Sequence, residues 1–313
     1  MVLNSLRIKK AYGCAGIIKR LTIEITNDCQ FKCPYCIKGI PNVKRISHIK
    51  PEYIDKFFDI CRKYDIYNEN DLRIYITGGE PTISPYFLDI IELCASCDFV
   101  RDINILTNGY NTDEIYIKAN NICRRYNKMF VNNMTFHFNK LTNLDNYIHK
   151  AQYLINNGVI LLLSIIIDID YVSIDDILNI EQYLKYNFIR EVYSVFNKAI
   201  PDKFEFIHKF NAQKDISDYR KIKIIIADKN EMIVSDSDIK KMKTNPFRNM
   251  YCSGFKENIT INEYCYIYSS CSFNIKYKCY IEPQVKKFFD NIRSTKQVCK
   301  SNICCYPTPI RYI

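Results

Sequence analysis

Apolar residues fall along this chain in two alternating rhythms. Between about residues 20 and 200, short apolar runs rich in β-branched side chains alternate with longer stretches where apolar positions recur every three or four residues. The first rhythm fits strands and the second amphipathic helices. The pattern predicts strands at Leu21–Thr26, Leu72–Thr77, Ile103–Thr107, Met134–Phe138, Val159–Ile167 and near Glu191–Phe196. Between them it predicts a helix from Pro51 and others over roughly Pro85–Cys94, Thr112–Tyr126, Leu144–Asn156 and Ser173–Tyr186. Pro51 suits a first helical turn, where its missing N–H costs nothing, and Ile54, Phe57, Phe58 and Cys61 follow at helical spacing. Six strands alternating with helices imply a parallel sheet, and near-continuous apolar strands imply a sheet covered on both faces.

Polar residues gather where these strands end, at Thr26-Asn27-Asp28, Thr77-Gly78-Gly79-Glu80 and Thr107-Asn108. In parallel α/β folds the carboxyl ends of strands are where ligands bind. After Ile200 the rhythm is lost. Residues 201–244 read as a connecting segment with strands at Ile222–Ala227 and Met232–Val234, and 245–313 as short strands and loops with no core of their own.

Composition narrows the class. Of 313 residues 48% are hydrophobic, enough for a large core, and the longest apolar run, Val159–Ile167, falls far short of the roughly 20 residues that span a bilayer. The start of the chain is basic without an apolar run of signal-peptide length, so the expected location is cytoplasmic, with no membrane partner. The formal charge of +10 is scattered, with no run of five or six Lys or Arg. Together with the Ile, Asn, Lys and Tyr bias of A/T-rich codons, that scatter makes a nucleic-acid partner the lesser reading.

Fifteen cysteines change the picture more. An odd count, no secretory signal and tight clustering favour thiolate–metal ligation over disulfides. Cys29, Cys33 and Cys36 lie in one short loop after the first strand. Three thiolates can hold three irons of a cubane cluster and leave the fourth open to a small chelating ligand, whereas a closed ferredoxin site needs a fourth ligand. A structural zinc knuckle is the plainer alternative. Cys61, Cys94, Cys97 and Cys123 lie in or near helices and read as small buried hydrophobes, and Cys14 has no evident partner.

The loop Cys29-x3-Cys33-x2-Cys36, with Tyr35 before its third cysteine, resembles the CxxxCxxC signature of the radical S-adenosylmethionine (SAM) superfamily. Gly78-Gly79-Glu80-Pro81 at the end of the second strand resembles that family's GGEP motif, and Thr107-Asn108-Gly109 a common continuation. The resemblance covers residues 20–200. It implies a [4Fe-4S] cluster on the three cysteines, with the SAM amino and carboxylate groups chelating the open iron. The backbone of Gly78 and Gly79, with Glu80, would hold the SAM ammonium, glycine leaving no Cβ in the way, and Pro81 would fix the turn. His137 and Asn139 at strand four and Ser164 on strand five are further candidates for SAM contacts, each equally readable as a satisfied structural residue.

The tail has a partial match of its own. Cys252, an alternating segment around Ile259–Ile261, a turn, Tyr266–Cys271, and then Cys299 with the pair Cys304 and Cys305 resemble the SPASM or twitch modules that bind an auxiliary [4Fe-4S] cluster. Cys265 and Cys279 are reserve ligands. The turn Asn262-Glu263-Tyr264-Cys265 stands where those modules usually carry glycine.

The expectation is therefore an α/β protein: a partial (β/α)6 TIM-like barrel at 1–200, a connecting segment at 201–244 and a cysteine-rich auxiliary-cluster module at 245–313. The resemblance implies reductive cleavage of SAM to a 5′-deoxyadenosyl radical that abstracts hydrogen from a substrate. A peptide or protein side chain is the expected substrate and a nucleotide or cofactor precursor the alternative, with a flavodoxin- or ferredoxin-type electron donor. A non-catalytic iron–sulfur carrier or binding module is the rival of another class, and GGEP weighs against it.

Overall fold

The computed structural model describes residues 6–7, 19–33, 36, 43–137, 144–167, 189–194, 221–226, 231–235, 258–269 and 277–294. In chain order the elements are β1 (Leu6–Arg7), β2 (Lys19–Thr26), α1 (Pro51–Lys63), β3 (Leu72–Gly78), a 3₁₀ turn (Pro81–Ile83), α2 (Phe87–Ser96), β4 (Val100–Thr107), α3 (Asp113–Arg125), β5 (Met129–His137), α4 (Leu144–Asn156), β6 (Ile160–Ile167) and β7 (Ile189–Ser194). They continue with β8 (Lys221–Ile226), β9 (Glu231–Ser235), β10 (Asn258–Ile261), β11 (Tyr266–Ser269), β12 (Tyr277–Lys278) and α5 (Glu282–Ser294).

Strands β2 to β7 lie side by side in chain order, every neighbouring pair parallel. Crossovers between parallel strands are right-handed. When each one steps in the same direction, the helices fall on one face of the sheet. Consecutive helices α1 to α4 accordingly touch in series. Leu21, Ile23 and Ile25 of β2, Ile74 and Ile76 of β3, and Ile103 and Ile105 of β4 share one core with Phe57 and Phe58 of α1 and Ile90 and Ile91 of α2.

On β2 to β4 the other face is polar, although largely buried, which corrects the expectation that both faces are apolar. Register sets Arg20 beside Arg73 and Arg73 beside Asp102, then Thr22 beside Tyr75 and Tyr75 beside Asn104. The buried Asp102 carboxylate accepts from Arg73 at 2.5 and 2.9 Å and from Asn104 Nδ2 at 2.8 Å. Such pairing is what a buried charge requires. The Arg20 guanidinium lies over the Tyr75 ring, 3.5 Å from its centroid. The alternation Arg20, Thr22, Glu24 against Leu21, Ile23, Ile25 was in the sequence; reading each strand as one apolar run hid it.

The six-strand reading agrees with the structure, although β5 starts at Met129, five residues before the predicted strand. The helix expected at 173–186 lies outside the described residues. Both strands expected in 201–244 are present and pair with each other and with β1 in a separate antiparallel sheet, order β1-β8-β9.

The tail departs further from expectation. Strand β10 pairs in parallel with β2, and β10, β11 and β12 form an antiparallel meander, so the larger sheet runs β12-β11-β10-β2-β3-β4-β5-β6-β7. Residues 282–294 are helical rather than loop. Val285, Phe288, Phe289 and Ile292 of α5 recur at i, i+3, i+4 and i+7, all are buried, and all belong to the main core. Phe289 lies 6.4 Å from Phe57 and 6.1 Å from Tyr67, centroid to centroid. Four buried side chains at roughly 1.5–3 kcal/mol each supply apolar burial that dispenses with metal as the sole reason for this part of the tail to fold.

Candidate functional site

The site is built on backbone joints between β2 and β3. At the end of β2, Thr26 Oγ1 accepts from Asp28 N at 2.9 Å, turning the chain out of the sheet toward Cys29. Gly79 N then donates to Thr26 O and Glu80 N to Asp28 O, both at 2.7 Å. These bonds carry the β2–β3 pairing beyond the strands onto the first residues of the cysteine loop. The glycines are required by that approach. A Cβ on Gly79 would lie 2.0 Å from Asp28 O, and one on Gly78, whose φ is +150°, 2.1 Å from Thr26 O. What the missing Cβ visibly admits is the neighbouring backbone, not a ligand.

The returning end of the loop is tied down too. Asn27 Nδ2 donates to Arg45 O at 3.0 Å and Asn27 Oδ1 accepts from Ser47 N at 2.7 Å, while Ile49 N donates to Ile25 O at 2.8 Å. The tail closes the same joint: Asn27 Nδ2 donates to the Tyr264 hydroxyl at 3.1 Å, and Ser47 Oγ to Glu263 O at 3.1 Å.

Glu80 binds the ends of β3 and β4 together. Its wholly buried carboxylate accepts through Oε1 from Thr82 N at 3.1 Å, Thr82 Oγ1 at 2.5 Å and Thr107 Oγ1 at 2.7 Å, and through Oε2 from Asn108 N at 2.7 Å. Burial raises its pKa above the ordinary carboxylate range against the opposite pull of those donors. With four donors already on it, the carboxylate holds the loop rather than presenting itself to a ligand. Thr107 is committed likewise, between Glu80, Gly109 N at 3.1 Å and the Tyr116 hydroxyl at 3.2 Å. Pro81, also buried, opens the 3₁₀ turn that delivers Thr82.

The cysteine loop closes over these strand ends. Cys36 N donates to Cys33 O at 3.1 Å and Phe31 N to Cys29 Sγ at 3.4 Å. Asn108 Nδ2 is 3.9 Å from Cys29 Sγ, and Gln30 Nε2 donates to Asn108 Oδ1 at 3.4 Å. From β5, His137 Nδ1 lies 3.8 Å from Cys33 Sγ, and the buried Phe31 ring meets His137 and Tyr110 edge-on at 5.5 and 5.4 Å. Burial pushes His137 down to about 4, so it is neutral at pH 7, and pushes Cys29 up to about 11, with Glu80, Cys33 and Cys36 adding to the rise.

The residues fit an iron–sulfur cluster by their donor chemistry. Cys33 and Cys36 of the same loop help to raise the Cys29 thiol, and N–H donors face Cys29 sulfur, the surroundings that clusters use. Among the described residues no three His, Cys, Asp or Glu side chains gather tightly enough for a single metal ion. A cubane presents a separate iron to each thiolate, so it has no such requirement.

The structure thus brings together Cys29, Cys33, Cys36, Gly78, Gly79, Glu80, Thr107, Asn108 and His137, drawn from four strand ends. Ser164 is placed by its backbone, between Thr135 of β5 and Glu191 of β7. Tyr35, Asn139, Cys14, Cys252, Cys271, Cys299, Cys304 and Cys305 lie outside the described residues. Cys61, Cys94, Cys97 and Cys123 are buried as expected, each thiol raised by desolvation. Asn27, Phe31, Thr82 and Tyr264 went unread in the sequence. Asn27, in the polar cluster ending the first strand, carried a signal; Tyr264, 237 residues away, carried none.

The site is a three-cysteine loop lying across the strand ends of a one-sided parallel α/β layer. Residues 23–151 match the model of the Radical SAM superfamily. Among curated proteins the chain is similar to GTP 3',8-cyclase of Haemophilus influenzae (strain 86-028NP), 32% identical over 90 residues, covering 29% of this chain and 26% of that one. GTP 3',8-cyclase of Pasteurella multocida (strain Pm70) is 33% identical over 92 residues, with the same coverage. The chain thus aligns with about a quarter of the length of these relatives. Among solved structures it resembles Streptococcus suis SuiB bound to precursor peptide SuiA, with TM-score 0.55, 15% identity and coverage of 90% of this chain and 67% of that one. It also resembles anSMEcpe with bound AdoMet, with TM-score 0.57, 11% identity and coverage of 93% and 92%. These two likenesses concern the fold. Among the described residues no helix is long and apolar enough to cross a membrane.

Proposed function

We propose that this chain is a radical SAM enzyme that uses a [4Fe-4S] cluster on Cys29, Cys33 and Cys36 to cleave SAM reductively. The observation that carries the reading is the joint between loop and strand ends: Cys29 Sγ beside Asn108, Cys33 Sγ beside His137, and Gly79 and Glu80 N–H groups bonded to the stem of the cysteine loop. When bound, cluster and SAM supply an electron and a 5′-deoxyadenosyl radical that abstracts hydrogen from the substrate. The protein's own share is to hold the loop, present Gly78–Gly79 backbone to the SAM ammonium, and exclude water with the buried Phe31. Tyr35, Pro81, Asn108, His137 and Ser164 complete the proposed cofactor contacts.

Our substrate reading is a peptide or protein side chain, with electrons from a flavodoxin- or ferredoxin-type donor. It is supported by the likeness in fold to SuiB bound to precursor peptide SuiA. The local identity to GTP 3',8-cyclases favours a second reading, rearrangement of a nucleotide. In the tail, the proposed auxiliary [4Fe-4S] ligands are Cys252, Cys271, Cys299 and Cys304 or Cys305, within a module at 245–313 that follows a core at 1–200 and a connector at 201–244.

The test is anaerobic reconstitution with iron and sulfide, then SAM and dithionite. Formation of 5′-deoxyadenosine that disappears in the Cys29/Cys33/Cys36→Ala variant is expected; cleavage retained by that variant would overturn the proposal. Deuterium carried into 5′-deoxyadenosine from a labelled peptide or from labelled GTP separates the substrate readings.

A further inference from the structure

The turn of the tail hairpin holds two cysteines that the cluster assignments leave over. The antiparallel register of β11 and β12 pairs Tyr266 with Lys278 and Ile267 with Tyr277, so the next pair outward is Cys265 with Cys279. Cys279 N donates to Cys265 O at 2.9 Å, extending the ladder to that pair. Facing residues on antiparallel strands stand about 4.5–5.5 Å apart at Cα, within the usual range of about 4.4–6.8 Å for a disulfide. Both side chains are free thiols and buried, Cys279 completely and Cys265 to within 7%.

Cys265 has φ +62°, a conformation that favours glycine. A cysteine placed there, facing a second thiol, calls for a chemical reason beyond filling the turn. Access divides the labour: Cys265 keeps some exposure at the turn, while Cys279 is wholly buried. Cys265 is thus the sulfur that a small disulfide meets first.

We propose that Cys265 and Cys279 form a dithiol–disulfide couple that exchanges with low-molecular-weight disulfides. Cys265 thiolate attacks the small disulfide, releasing one thiolate and forming a mixed disulfide. Cys279 then displaces the second small thiol, and its proton leaves with that thiol. Two cysteine sulfurs are oxidised to one disulfide bond while the small disulfide is reduced to two thiols. The couple adjoins Tyr264, whose hydroxyl meets Asn27 at the stem of the cluster loop, so the crosslink would close the turn that buttresses that loop.

The experiment uses the full chain, purified anaerobically with its iron and incubated with oxidised glutathione. Free thiols are then blocked with N-ethylmaleimide under denaturing conditions, and the protein is digested with trypsin. The expected product joins the Cys279 peptide to the peptide of residues 257–276, with fragment ions placing the bond at Cys265 rather than Cys271. It should form at least tenfold more than any link involving Cys61, Cys94 or Cys123, revert with dithiothreitol, and vanish in Cys265→Gly, a change that the positive φ accommodates. Absence of the link, a link at Cys271, or glutathione retained on Cys265 without closure would each overturn the proposal. None of these outcomes depends on whether the chain cleaves SAM.

Discussion

Replacing Glu80 with Gln separates a ligand from a staple. The substitution keeps size and one carbonyl oxygen, so the donors from Thr82 N, Thr82 Oγ1 and Thr107 Oγ1 retain their acceptor. The amide NH2 must then face Asn108 N–H, which now donates to Oε2 at 2.7 Å. Flipping the amide would instead set the NH2 against Thr82 N–H, an obligatory donor, and require the two threonine hydroxyls to turn and accept. A hydrogen bond to a charged group contributes about 1.5–3 kcal/mol, and an orphaned buried donor costs about 1–3 kcal/mol. Removing a desolvated charge offsets part of this, and the net expectation is a loss of about 2 kcal/mol. Against a domain stability of roughly 5–15 kcal/mol, that is measurable and survivable. Urea unfolding of the iron-free protein is the assay, because neither cluster nor SAM is present to confuse the two roles. A midpoint corresponding to less than about 0.5 kcal/mol, together with weaker SAM binding in the reconstituted protein, would refute the argument and make Glu80 a ligand.

Gly79→Ala should cost both stability and iron, since its Cβ would meet Asp28 O at 2.0 Å, one residue before Cys29; iron content and SAM cleavage equal to wild type would show that the close approach is not required. His137 takes up its proton at about 4 in the folded protein against about 6.5 in the unfolded chain. The unfolded state therefore binds more protons between those values, and iron-free protein should lose up to about 3 kcal/mol as pH falls from about 6.5 to about 4. His137→Gln should flatten that slope in urea midpoints taken across the range, and an unchanged slope would exclude His137 as its source. Phe289→Ala should destabilise iron-free protein by about 3–5 kcal/mol; a loss below about 1 kcal/mol would mean that α5 does not dock on α1 without metal.

The repeating core was legible because each strand and helix declares itself within its own few residues. Pro51 opening α1 and the polar residues closing β2, β3 and β4 are local signals, and the parallel order follows from their alternation. The cysteine loop was legible because its three thiols are adjacent in sequence. The tail was not, because its placement depends on β10 joining β2 across more than 230 residues, a pairing that no local pattern announces. The stripe Val285, Phe288, Phe289, Ile292 was readable as a helix, but the surrounding cysteines drew the interpretation toward metal. Glu80 shows a further limit: sequence marks it as part of a site motif, whereas only the four donors around it decide which part.

The joint at Asn27 explains why a hairpin so far along the chain matters to the cysteine loop. Loop closure between residues 28 and 45 is held on one side by β3, through Gly79 and Glu80, and on the other by the turn of β10 and β11, through Tyr264 and Glu263. Each contact alone is a single hydrogen bond, worth about 0.5–1.5 kcal/mol net. Both hairpin contacts require β10 to be seated on β2, and that seating is secured by Ile259, Ile261 and Ile267 in the same core as Leu21 and Ile23. The apolar burial of the tail is thereby coupled to the position of Cys29. Loosening the hairpin core should disturb the three-cysteine site without touching any of its thiols, whether or not the tail cysteines carry iron of their own.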